Sequence, residues 1–286
     1  MKESRAISFI IVTAVYIIAT LVGLAAYVWL PFSFWVNLLL ADVIATIVTF
    51  VFSVLFQNAS VYDPYWSVQP IVIGIGFAIS GTPTLAGMIL LGVVIVWGIR
   101  LTANWAYTFH GLEHQDWRYT MLKEKTGSFY PIINFIGIHM VPTLVVYACV
   151  LPLAFVLHYG TEFNVFSLIF ALISLLAVVL QGMSDVQMHR FRKAKSEGKA
   201  EGFIRVGFWK YSRHPNYLGE IMMWWGIALA TWVLMPDRWY LLAGAVLNTL
   251  LFTFVSIPMA DKRQSKKEGF EEYKRQTRVL LPIVKR

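Results

Sequence analysis

Residues 6–41 read AISFIIVTAVYIIATLVGLAAYVWLPFSFWVNLLLA, without one Asp, Glu, Lys or Arg. About 20 apolar residues in a helix cross the hydrocarbon core of a bilayer, so this stretch is long enough for nearly two crossings. Residues 43–62 and 64–99 are equally free of charge. Across the chain 58% of residues are apolar and 14% charged, against about 25% charged in soluble domains. These runs exclude a water-soluble globular domain and predict an all-α, polytopic integral membrane helical bundle.

Eight apolar segments can be marked, at 7–30, 35–57, 66–81, 84–106, 131–158, 164–184, 217–235 and 239–259. The third is short, so seven or eight transmembrane helices are expected, in one domain spanning 1–286. The first segment is too long for the apolar region of a signal peptide, and no small-residue cleavage site follows it. If the loops alternate from an inner N-terminus, 23 of the 24 Lys and Arg residues fall on the inner side and only Arg238 outside. The positive-inside rule then puts both termini in the cytoplasm. The outer loops are a few residues each, whereas segments 107–130, 186–215 and 261–286 are long, polar and basic; they are expected to cap a site. A net charge of +8 also suits anionic membrane lipid as a partner. The lone Cys149 lies in an apolar segment, with no disulfide framework or CxxC zinc pattern. No glycine-rich nucleotide fingerprint occurs, and basic loops beside membrane spans are not a nucleic-acid signature.

Four polar clusters interrupt the apolar pattern. Gln57-Asn58-Ala59-Ser60-Val61-Tyr62-Asp63-Pro64-Tyr65-Trp66 reads equally as a turn or as the mouth of a pocket. Arg100 precedes a second cluster, in which His110 and His114 have the spacing of two metal ligands but lack the accompanying glutamate, so no metal site is expected. Asp116 to Tyr119 more naturally form a hydrogen-bonded cap. In the third cluster Gln181, Asp185, His189 and Arg192 fall on one helical stripe. An acid at the edge of an apolar helix needs a partner or a cavity, which makes Asp185 a site candidate; Arg190 and Arg192 are the local alternatives. The fourth, Trp209-Lys210-Tyr211-Ser212-Arg213-His214-Pro215-Asn216-Tyr217-Leu218-Gly219-Glu220, running into Trp224-Trp225, places Pro215 at a helix start. Asn216, Glu220 and Trp224 then share a face, and free N–H groups at that start could hold a phosphate. In the tail, Phe270, Tyr273, Thr277 and Leu280 follow a helical period among cations, either as an amphipathic helix on the membrane or as a lid.

The run Arg213-His214-Pro215-Asn216-Tyr217-Leu218-Gly219-Glu220 closely resembles the Asn-x-x-Gly-Glu motif of the steroid 5α-reductase family, in the form typical of its bacterial members. Ser184-Asp185 with Arg192-Lys193 resembles that family's cofactor segment. Phe270-Glu271-Glu272-Tyr273 with Arg278 and Leu280-Leu281-Pro282-Ile283 resembles its C-terminal signature. Together these cover residues 180–286; Asn58, Asp63 and Trp66 with Asp116 to Tyr119 are similar to the family's uncharacterised bacterial branch.

The resemblance implies a seven-helix oxidoreductase in a bacterial inner membrane, with NADPH bound on the cytoplasmic side. Hydride would pass to the β-carbon of a conjugated enone, typically a 3-oxo-Δ4 steroid, in a lipophilic substrate entering from the bilayer. Expected around the cofactor are Arg100, Gln181, Asp185, Arg192, Lys193, Tyr211, Arg213, His214, Asn216, Glu220, Trp224 and Tyr273. The family's cofactor-binding Arg, His and Tyr of the last helix fall on Pro258, Lys262 and Lys266, whose two lysines offer cations. The carbonyl-polarising pair falls near Gln57 and Asn58, with Tyr62, Asp63 or Tyr65 as the acid and Glu220 beside it. A monomer is expected. The RHPxY pattern also occurs in isoprenylcysteine carboxyl methyltransferases, whose S-adenosylmethionine carries no phosphate; the 17 basic residues of the last two inner segments suit NADPH better. A transporter is a third reading, for which Asp42 is the clear polar residue near the bilayer midplane.

Overall fold

The computed structural model of the chain describes residues 4–281. Pro282 and Ile283 of the C-terminal pattern lie outside the described residues. The helices are α1 (Arg5–Trp29), α2 (Phe34–Leu55), α3 (Tyr65–Ser80), α4 (Leu85–Thr108), α5 (Trp117–Thr126), the single turn α6 (Tyr130–Ile132), α7 (Val141–Tyr159), α8 (Val165–Ser196), α9 (Pro215–Leu234), α10 (Ala243–Leu251), α11 (Ile257–Gln264) and α12 (Phe270–Gln276). Two π-helical turns, Ile133–Met140 and Phe252–Ser256, join α6 to α7 and α10 to α11. Among the described residues there is no strand, and seven helical stretches are long and apolar enough to cross a membrane. The chain is therefore a polytopic helical membrane protein.

The exception is α3, whose 16 residues rise about 24 Å at 1.5 Å per residue, short of a bilayer core. It still links the two ends of the bundle. At its C-terminal end the Thr82 amide donates to the Leu157 carbonyl at 2.8 Å, beside the last turn of α7. At its N-terminal end the connection 56–64 folds back into the bundle. That connection turns on Gln57 at φ 52°, and Ala59, Ser60, Val61 and Tyr62 are buried. Ala59–Tyr62 form a single 3-10 turn, and a buried connection of this kind is tolerated where protein or a cavity surrounds it. Arg100, Arg118 and Arg263 gather at the end of the bundle that holds the 56–64 connection. Arg238 sits near the C-terminal end of α7, its guanidinium over Phe155 and Tyr159.

The core centres on α7, where Val150, Leu153, Ala154, Val156 and Leu157 have no exposed surface. Outward-facing Ile10, Leu24, Leu172 and Leu176 are exposed, as lipid contact requires. Helices α8 and α9 meet most closely, through small residues that let the backbones approach. A Cβ on Gly219 would lie 2.7 Å from the Ala177 carbonyl oxygen, and one on Gly226 2.8 Å from that of Phe170. Gly219→Val is accordingly expected to cost about 1–3 kcal/mol. Gly92→Val, where a Cβ meets nothing within 4 Å, is the control; equal thermal unfolding of the two in detergent would contradict this packing.

Three expected boundaries move. Helix α8 runs to Ser196, so the first third of the expected loop 186–215 is helical. Segment 107–130 contains α5, and the last span continues to Gln264. In the tail the helical period stops at Gln276: Thr277 is extended, Ser212 forms a bridge with Arg278, and Leu280 lies beyond the helix. Closure onto Ser212 holds that strap straight.

Candidate functional site

At the basic end a cavity of about 320 Å³ opens between the 56–64 connection, α4, α5, α8, α9 and both π-helical turns. Small-molecule pockets span roughly 300–1,000 Å³. Its polar wall is made by Asp63, Arg100, Asn104, Arg118, Tyr119, Gln181, Asp185, Asn216 and Glu220; its apolar wall includes Trp66, Leu101, Ile138 and Phe252. Gly137, Ile138, Phe252, Val255 and Ser256 come from the π turns, a feature frequent at functional sites because it displaces side chains from the regular helical register.

The face shared by Asn216, Glu220 and Trp224 exists, and its members do different things. Trp97 Nε1 donates to one Glu220 oxygen at 2.9 Å and Trp224 Nε1 to the other at 3.0 Å. Two buried indoles thereby hold the carboxyl at the inner wall; Trp224 is its brace and does not line the cavity. Asp185 pairs with Arg100, at 2.7 Å between α8 and α4, rather than with Arg190 or Arg192. Asn216 Nδ2 reaches the other Asp185 oxygen at 3.5 Å. One carboxylate thus joins three helices beneath the cavity.

Four buried polar atoms on this wall have no hydrogen-bond partner: both amide atoms of Gln181, Arg100 Nε and Asn216 Oδ1. Buried polar groups are nearly always paired. A cluster of orphans around one cavity is the pattern of a site that a polar ligand completes.

The same cavity is lined by a further acid, Asp63, from the 56–64 connection. Tyr119 Oη donates to Asp63 Oδ1, and the Arg118 guanidinium lies 3.6 Å from the same atom. Asp116 caps α5, accepting from the Arg118 amide at 2.9 Å, and also accepts from Arg118 Nε at 2.7 Å. Burial in the connection between α2 and α3 pushes the Asp63 carboxyl up to about 6, against the pull of Arg118 and the Tyr119 hydroxyl. Arg263 stacks over Trp117 at 4.0 Å and so covers this edge.

The other residues expected at the site have their polar groups engaged elsewhere or do not line the cavity. Asn58 braces the re-entrant connection, donating to the Leu112 carbonyl and accepting from the Ser60 amide. Tyr62 lines the cavity, but its hydroxyl meets Thr143 at 2.8 Å. Tyr65 faces away, donating to Asp42 at 2.7 Å. Arg192, Lys193, Tyr211, Lys262 and Lys266 are exposed and do not line the cavity. Arg213 and His214 close the tail instead: both bind Asp261, at 3.0 and 2.9 Å, and Arg213 also donates to the Thr277 carbonyl at 2.7 Å. Tyr273 packs with Phe203 and Phe270 and donates to the Trp209 carbonyl. Tyr119, Trp97 and Asn104 were not among the expected site residues. Tyr119 stands in the expected cap, but nothing local shows that it meets Asp63, 56 positions away.

Comparison with known proteins adds the following. A family model described as protein of unknown function (DUF1295) matches residues 49–277. An uncharacterized protein of Schizosaccharomyces pombe is 25% identical over 216 residues, 67% of this chain and 62% of that protein. The 3-oxo-5-alpha-steroid 4-dehydrogenase 1 of Macaca fascicularis is 32% identical and the human one 31%, each over 101 residues and 35% of either chain. The chain thus spans 62% of the first relative's length and about a third of the steroid enzymes'. No solved structure matches. Because the family match covers more than half of the chain, the protein belongs to the DUF1295 family, a steroid 5-alpha-reductase-like family.

Proposed function

We propose that this protein is a membrane reductase that uses NADPH to saturate the C=C bond of a conjugated enone in a lipophilic substrate, a 3-oxo-Δ4 steroid being the first candidate. The observation that carries the reading is the set of orphaned polar atoms on Gln181, Arg100 and Asn216, lining one cavity together with the acid Asp63 and its partner Tyr119. Similarity to the two steroid dehydrogenases supports the same class.

Gln181, Asn216 and Arg100 would hold the cofactor. Gln181 offers a free donor and a free acceptor, the complement of a carboxamide, and Arg100 offers a guanidinium N–H. When bound, NADPH supplies the hydride for the β-carbon. The chain orients the enone and stabilises the negative charge that develops on its oxygen. Protonated Asp63 can donate there while accepting from Tyr119, in the manner of an oxyanion hole. The α-carbon then takes one proton, drawn from solvent, so that hydride and proton together add two hydrogens across the C=C bond; Trp66, Leu101 and Ile138 give the cavity an apolar wall for the hydrocarbon of the substrate. In this reading the basic end faces the cytoplasm, where NADPH is available, the substrate enters from the bilayer, and one chain suffices.

Purified protein should oxidise NADPH only when an enone lipid is present, and the product should be heavier by two hydrogens. Turnover is expected to fall as pH rises through about 6, because the donating form of Asp63 is present below that value and lost above it. Asp63→Asn, which keeps an N–H donor, should flatten the profile. No reduction of any enone, or methyl transfer from S-adenosylmethionine instead, would sink the reading; an unchanged profile in the Asn variant would remove Asp63 from the reaction.

A further inference from the structure

A larger cavity, about 590 Å³, lies on the other side of α3, between α1, α2 and α3. Tyr62 and Tyr65 stack at 5.3 Å, and each lines a different cavity, so this aromatic pair separates the two. The larger one is walled by apolar side chains that include Leu24, Val28, Val72, Ile75 and Ile79. Ile79 is 82% and Val28 70% exposed, so in a membrane this mouth meets acyl chains rather than water.

One polar cluster stands inside it. Asp42, on α2 and 4% exposed, accepts from Tyr65 Oη at 2.7 Å and from Gln69 Nε2 at 2.6 Å. Gln69 lines the cavity, is 8% exposed, and its Oε1 has no hydrogen-bond partner. A carboxyl group inside a transmembrane helix is costly and marks a function by default. Asp42, Tyr65 and Gln69 play no part in the reduction described above. Tyr65 and one Gln69 N–H are spent on Asp42, and the Gln69 amide keeps its second N–H beside the unpartnered Oε1. Pairing Oε1 takes a donor. A ketone or an ester has none to give; an O–H group can donate to Oε1 and accept from the remaining N–H.

We propose that this cavity is a binding site for a lipid whose polar group is a hydroxyl, donated to Gln69 Oε1 while the hydrocarbon fills the space between α1, α2 and α3. A straight-chain alcohol and a ring alcohol present the same chemistry, and the test separates them. An enone carbonyl would leave Oε1 unpaired, so this site favours a hydroxyl over the group that the reductase site is proposed to act on.

The full chain in detergent is titrated with oleyl alcohol and oleyl methyl ether, and in a second arm with cholesterol and its 3-methyl ether, with bound lipid counted by native mass spectrometry. In at least one arm the alcohol should bind tenfold or more tightly than its ether, about 1.4 kcal/mol; the arm that shows it identifies the chain or ring source. Gln69→Leu should reduce the alcohol to the level of its ether. Gly76→Leu should abolish binding of both, because Gly76 lines the cavity and a Cβ there meets nothing within 4 Å, so the new side chain occupies the ligand's space without displacing protein. Equal binding of alcohol and ether in both arms would reduce the cavity to a slot for acyl chains and overturn the proposal. So would no binding at all, or binding that survives Gly76→Leu. Binding rather than turnover is read, so the outcome stands apart from that of the reductase assay.

Discussion

Arg100→Met is expected to destabilise the protein by about 3–5 kcal/mol, the cost of leaving one member of a buried ion pair alone. The side chains of Arg100 and Asp185 are 17% and 15% exposed and meet at 2.7 Å between α4 and α8. Without the guanidinium, Asp185 keeps only the Asn216 amide at 3.5 Å. Asp185→Leu alone should cost a similar amount, since it strands the cation. The double variant Arg100→Met/Asp185→Leu should recover most of the loss, because an apolar pair removes both desolvation penalties at once. It should not recover NADPH binding, because both residues line the cavity that the cofactor is proposed to enter. Thermal unfolding and NADPH titration in the same detergent read the two effects separately. If the single variants unfold like the parent, the pair does not join the helices; if the double variant binds NADPH normally, this wall is not the cofactor's.

Truncation after Ala260 is expected to lower NADPH affinity by about 100-fold or more. It removes Asp261, which accepts from Arg213 and binds His214, and it removes the Thr277 carbonyl that Arg213 also holds. The Arg213 side chain is only 5% exposed with the tail in place, so truncation strips its partners and opens the start of α9 to solvent. Charge-assisted hydrogen bonds contribute about 1.5–3 kcal/mol each, and two of them correspond to two or more powers of ten. The effect reaches the cavity because Arg213 and His214 lead directly into Pro215 and Asn216 at the start of α9. This differs from a cationic lid: Lys262 and Lys266 are exposed and do not line the cavity, so their joint replacement by Met should leave affinity nearly unchanged. Asp261→Asn, which preserves shape, should show a smaller loss in the same direction. A truncated protein that binds NADPH as tightly as the full chain would leave α12 as a surface helix and nothing more.

The sequence by itself determined the class of the fold, because the bilayer imposes a demand that is read locally. Each crossing must satisfy its own backbone hydrogen bonds in a long apolar helix, and the charge-free runs at 6–41, 43–62 and 64–99 answer that demand without reference to any other part of the chain. The start of α9 was legible for the same reason: Pro215 sets the first helical residue, and helical spacing then places Asn216, Glu220 and Trp224 on one face. Tertiary structure alone decided what those faces meet. Asn, Ser, Asp and Pro between α2 and α3 carry ordinary turn signals, and only packing against α5 and the π turn Ile133–Met140 turns that connection inward and brings Asp63 to Tyr119. The partner of Asp185 was sought at Arg190 or Arg192 and stands 85 positions away on α4. Arg213 and His214, expected at a cofactor, were claimed by Asp261 and the tail. Periodicity fixes which side of a helix a residue occupies, but a buried charge is stabilised only by the partner that reaches it, and that partner is chosen by how the helices pack.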